Sequence, residues 1–153
     1  MTLSDTRNAS GRAPAIAALP PPVEGPSAWY GPAMAASEAW LYHLSPAEID
    51  EIAAAARPLV ARQADIARIT KADFPLPTLA PKLAAMCDDV LNGRGFALMR
   101  GLPVQDWSLR QSATAYFGIG AYLGNARSQN GNGHVLGHVR DLGRDAVNDA
   151  CCP

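Results

Sequence analysis

The sequence is poor in what most covalent and electrostatic specialisations require. Its 153 residues hold three cysteines, Cys87 alone and the adjacent Cys151 and Cys152, which is not the even, spaced set of a disulfide scaffold and fits a reducing, cytoplasmic setting. Histidine is equally scarce, at three residues. Neither sign of charge dominates: Lys+Arg 13 against Asp+Glu 14 gives a net charge of −1, so no broad basic surface is available for phosphates and nucleic acid is not expected as a partner. Apolar runs such as Phe96 to Met99 fall far short of the ~20 residues that span a bilayer, and no membrane partner is expected. The opening residues carry Arg7 and Arg12 but no uninterrupted apolar segment before the proline cluster, which argues against a secretory leader. What is abundant is turn-forming residues, Gly 13 and Pro 13, within a composition that is 48% hydrophobic and 18% charged. That is the profile of one ordinary globular domain with many loops.

Residues 1–25, with Pro20, Pro21 and Pro22, read as a disordered Pro/Ala-rich leader. Ordered structure is expected from Pro26, because Trp29, Tyr30, Met34 and Trp40 carry too much apolar area to leave in water. Ser45-Pro46-Ala47-Glu48 is a capping box with proline at the first helical position, and Ile49, Ile52, Ala53 and Ala56 continue it as an apolar stripe. Pro58 predicts that this helix ends or kinks at Arg57, with a further helix over Leu59 to Ile69. Phe74 to Pro77 reads as an extended connection. Thr78 then caps a helix whose face carries Leu83, Met86, Cys87, Val90 and Leu91, with Gly93 as a left-handed stop. Gly95 to Met99 predicts a strand buried on both faces. Ser108 and Gln111 cap a helix with Ala113, Tyr116, Phe117 and Gly120 inward and Gly124 at its end. His134 to Val139 predicts a second short strand.

Chemistry is thinly marked. His134 and His138 have a spacing that can share a face, but no Glu follows His134 as in a zinc-protease helix. None of His43, His134 and His138 begins the His-x-Asp or His-x-Glu pattern of a ferrous site. Cys87 reads as a core residue rather than a thiol nucleophile, since no charged group on its face would lower its pKa. Asn92 to Gly95 follows a helix and precedes a strand, the reverse of a dinucleotide fingerprint. No serine sits in a Gly-x-Ser-x-Gly elbow. Two non-enzymatic readings are open: an interaction module using the aromatic front segment and open strand edges, and a small zinc module built on His134, His138, Cys151 and Cys152.

The segment Asn92-Gly93-Arg94-Gly95-Phe96-Ala97-Leu98-Met99-Arg100-Gly101-Leu102-Pro103-Val104 resembles the TauD/TfdA family of Fe(II)- and 2-oxoglutarate-dependent dioxygenases. So do Gly25 to Gly31, Leu44 to Ile49, Asp73 to Pro77, Tyr122 to Gly124, Ser128 to Asn130 and Leu136 to Gly143, in the same order along roughly residues 25–148. The resemblance implies an α+β chain made of the N-terminal helices and first strands of a double-stranded β-helix (jelly roll), with its core truncated. Residues 26–148 would form that part and 149–153 a divergent tail. It further implies an oxidoreductase that, when complete, hydroxylates a small organic acid with Fe(II) and 2-oxoglutarate. The iron ligands of that family would follow the end of this chain, so no catalytic residue is assigned, no metal or cofactor is expected to bind it alone, and a truncated or frame-shifted gene is the expected origin. Gln129 and Asn130 are the candidate substrate-rim residues. Unpaired strands and an incomplete core predict low solubility or a molten, helix-rich state.

Overall fold

The computed structural model describes residues 20–128, 130, 131 and 133–137. Its elements are α1 (Gly31–Ala35), β1 (Leu41–His43), α2 (Pro46–Ala61), a 3-10 turn (Ile66–Arg68), α3 (Ala80–Asn92), β2 (Leu98–Arg100) and α4 (Leu109–Leu123). The described residues are thus mixed α and β, helices together with a two-stranded sheet. β1 and β2 pair in parallel, Leu41 opposite Leu98 and His43 opposite Arg100, and α2 and α3 supply the long crossover that parallel pairing requires.

The start of α2 follows its sequence signal. The Ser45 hydroxyl accepts from the Glu48 N–H while the Glu48 carboxylate accepts from the Ser45 N–H at 2.8 Å, and Pro46 occupies the first turn. Of the two outcomes expected at Pro58, an end or a kink, the helix does not take the first. It continues to Ala61, because the hydrogen bond that Pro58 cannot make would have gone to the carbonyl of Ala54, an exposed residue that water can serve. The end is a Schellman motif: the Ala64 N–H donates to the Leu59 carbonyl at 2.9 Å and the Gln63 N–H to that of Val60 at 3.1 Å. Gln63 takes the left-handed conformation, φ 51°, that glycine usually fills. The expected helix over Leu59 to Ile69 is therefore replaced by this stop and the short 3-10 turn.

The core is built on α2, α4 and the Phe74 to Leu83 segment: Ile52, Ala56, Phe74, Leu76, Leu79 and Leu83 are fully buried, with Phe117 and Ile119 beside them. Gly118 lets Phe74 lie directly on α4, since a Cβ there would fall 2.5 Å from the ring. The Tyr122 hydroxyl fixes the same segment, donating to the Phe74 carbonyl at 2.9 Å and accepting from the Leu76 N–H at 3.1 Å.

Several expectations are corrected. Thr78 does not cap α3; the Glu51 carboxylate, reaching from α2, accepts from the Thr78 and Leu79 N–H groups at 2.7 and 3.0 Å. On α3 only Leu83 is buried, and Leu91 is 75% exposed. Gly93 has φ −110°, not a left-handed value; it is needed for space, as a Cβ would collide with Asp89. The strand expected at Gly95 to Met99 begins later, at Leu98, and is not buried on both faces, since a two-stranded sheet leaves Leu98 38% exposed. On α4 the inward residues are Thr114, Ala115, Phe117, Gly118 and Ile119, while Tyr116 points outward, 66% exposed. His134 to Gly137 form bends and loop rather than strand; Val139 lies outside the described residues. In the front segment Trp29 meets Phe96 edge-on with centroids 5.3 Å apart, and Trp40 donates its indole N–H to the Ser37 carbonyl at 2.7 Å, whereas Tyr30 stays exposed.

Candidate functional site

Two constellations stand out, one buried and polar, the other open and largely apolar. The buried one centres on Glu48, 1% exposed. Its carboxylate accepts from the Tyr42 hydroxyl of β1 at 2.6 Å, from the Lys82 ammonium of α3 at 2.6 Å, and from both the N–H and the hydroxyl of Ser45 at 2.8 and 2.9 Å. Burial alone would raise the carboxyl's pKa, but the Lys82, Tyr42 and Ser45 donors outweigh it and hold it at about 2. Lys82 is correspondingly raised, chiefly by its hydrogen bond to Glu48. Tyr42 is also raised, by burial and by its bond to the same carboxylate. A fully ionised carboxylate with every lone pair engaged has no proton to give and no free face. The cluster clamps β1, α2 and α3 together and is not poised for acid–base chemistry.

The open constellation is a cleft of about 1150 Å³ between α4 and the Ala67 to Ala72 segment. Ile69, Met99, Leu102, Phe117 and Val135 supply apolar walls, and Gly120 leaves the helix backbone bare, with open space where its side chain would stand. Among the described residues, the charged ones lining it are Arg68, Lys71 and Arg127, and no carboxylate, thiol or imidazole lines it.

The residues singled out in the sequence fall elsewhere. Asn130 is exposed and closes the loop after α4: its side-chain oxygen accepts from the His134 N–H at 3.0 Å, and its amide nitrogen lies 3.1 Å from the His134 ring. It does not line the cleft. Gln129, His138, Cys151 and Cys152 lie outside the described residues. Cys87 is half-buried, its sulfur 3.8 Å from the Leu123 carbonyl. His43 is exposed on β1. Among the described residues no three His, Cys, Asp or Glu side chains are grouped closely enough to hold a metal, so these residues do not fit an iron centre. No helix among them is long and apolar enough to cross a membrane.

Sequence reasoning identified Glu48 as a cap but missed its role as the hub of a three-element network, because Lys82 is 34 residues distant and carries no local signal. It missed the cleft for the same reason.

Comparison with known proteins adds what the geometry alone does not. The chain is 30% identical over 131 residues to FR-33289 synthase of Streptomyces rubellomurinus, a match covering 85% of this chain and 38% of that protein. It is 31% identical over 117 residues to taurine hydroxylase-like protein SAT17 of Stachybotrys chartarum, covering 74% of this chain and 30% of that one. No family model matches. These two relatives support a relationship to the TauD-like dioxygenases, and the chain spans about a third of the length of the curated relatives it matches.

Proposed function

We propose that this chain is the N-terminal, helix-rich part of a TauD-like Fe(II)- and 2-oxoglutarate-dependent dioxygenase, and that it is not catalytic alone. The complete protein would hydroxylate a small organic acid in the cytoplasm. The observation that carries the reading is the asymmetric match: most of this chain aligns with a relative of which it covers 38%. The described part contributes helices, a parallel strand pair and the clamped Glu48 network, which make a scaffold. The jelly roll and the two-histidine, one-carboxylate iron site would lie in the remaining sequence, with Gln129 and Asn130 at the substrate rim. Sequencing the transcript through codon 153 and beyond tests this. The expected result is a reading frame, direct or shifted, that encodes a His-x-Asp motif and a distal histidine. A message in which no frame encodes that motif would overturn the proposal.

A further inference from the structure

We infer that the cleft between α4 and the Ala67 to Ala72 segment binds an amphipathic monocarboxylate, its apolar tail against Ile69, Met99 and Phe117 and its carboxylate at the Arg68 and Lys71 rim. This goes beyond the dioxygenase reading and does not rest on it, since binding here needs neither iron nor 2-oxoglutarate. The first argument is charge. Arg68 and Lys71 line the cleft and, among the described residues, no acidic side chain does, although the chain as a whole carries slightly more acids than bases. A low-dielectric wall beside cations of one sign concentrates anions.

The second argument is availability. Arg68 makes only a long contact with Asp65, 3.7 Å, at a site where its side chain is 88% exposed, and a surface pair of that kind is easily exchanged for a ligand carboxylate. Lys71 lies 5.6 Å above the Tyr122 ring, which leaves its ammonium donors open to an anion. The third is shape. The space, about 1150 Å³, is slightly larger than most small-molecule sites, roughly 300–1,000 Å³, and the absent side chain at Gly120 deepens it where a tail would lie.

Calorimetric titration of the 153-residue chain with decanoate, octanoate, acetate and decyltrimethylammonium, each below its micellar concentration, tests the inference. Decanoate should bind saturably at one per chain. Octanoate should bind about fifteenfold more weakly, since each methylene contributes about fourfold. Acetate and decyltrimethylammonium should not saturate. Gly120→Leu should abolish decanoate binding, because its side chain fills open space in the cleft, with the helical circular dichroism retained. The Arg68→Glu, Lys71→Glu double variant, altered only at exposed positions, should weaken binding at least tenfold and serves if Gly120→Leu does not fold. The inference is overturned if the cationic detergent binds as well as decanoate, if no saturable decanoate binding occurs, or if sedimentation shows a dimer that Gly120→Leu dissociates, which would make a second copy the occupant.

Discussion

Replacing Glu48 by glutamine probes the node that joins β1, α2 and α3. The wild-type carboxylate is held at about 2 against an ordinary value of 4.5. At about 1.4 kcal/mol per pKa unit, that depression corresponds to roughly 3 kcal/mol of folding free energy. Lys82 shares the same contact and is half exposed, so its own shift is not added. The sign follows from the direction: the folded state prefers the ionised group, so this stability is fully present above about pH 4.5 and is lost as pH falls toward 2. Glutamine keeps one acceptor but turns an amide donor toward Lys82 or the Ser45 N–H, and removing one member of a buried pair costs about 3–5 kcal/mol when its partner is trapped. Because Lys82 can turn to water, Glu48→Gln should cost about 2–3 kcal/mol at pH 6. Urea unfolding followed by helical circular dichroism should show a midpoint lowered by about 1–2 M, for a slope of about 1–3 kcal/mol/M. The gap between wild type and variant should narrow as pH is lowered to 3, since only the wild type titrates there. A gap below about 0.5 kcal/mol at pH 6, or one constant from pH 6 to 3, would refute the reasoning.

Gly118→Ala should destabilise the chain by up to about 2 kcal/mol in the same assay: overpacking against the fully buried Phe74 costs about 1–3 kcal/mol and the alanine's helix preference returns about 1. Phe74→Leu should cost less in that background than in the wild type. Gln63→Gly should raise stability by up to about 1 kcal/mol, by relieving a left-handed non-glycine residue at the end of α2. Tyr122→Phe should cost about 1–2 kcal/mol and speed hydrogen exchange at the Leu76 amide, which loses its acceptor.

The parts legible in the sequence were those with local chemical signatures. Ser45 and Glu48 sit three apart and announced α2; Ser108 announced α4, where its hydroxyl accepts from the Gln111 N–H at 3.2 Å. What failed depends on residues that lack their usual signal or on distant partners. Gln63 ends α2 in a place where glycine would have been recognised, and Glu51 caps α3 from another helix. β1 is three residues long and its partner β2 begins 57 residues later, so no alternation could reveal it. Tyr116 has the spacing of a core residue on α4 but faces out, beside the cleft. The cleft itself joins four separate stretches of chain and is invisible to any motif. The relationship to TauD-like proteins was legible where the fold was not, and the two relatives, 30 and 31% identical over the matched stretches, support it.

Iron-dependent turnover by the purified 153-residue chain tests the central claim most directly. Supplied with ferrous iron, 2-oxoglutarate, ascorbate and oxygen, it should release no succinate above a metal-free control and take up no stoichiometric iron. Stoichiometric ferrous binding together with sustained succinate release would contradict the claim that the oxygen-activating centre lies in sequence this chain does not contain.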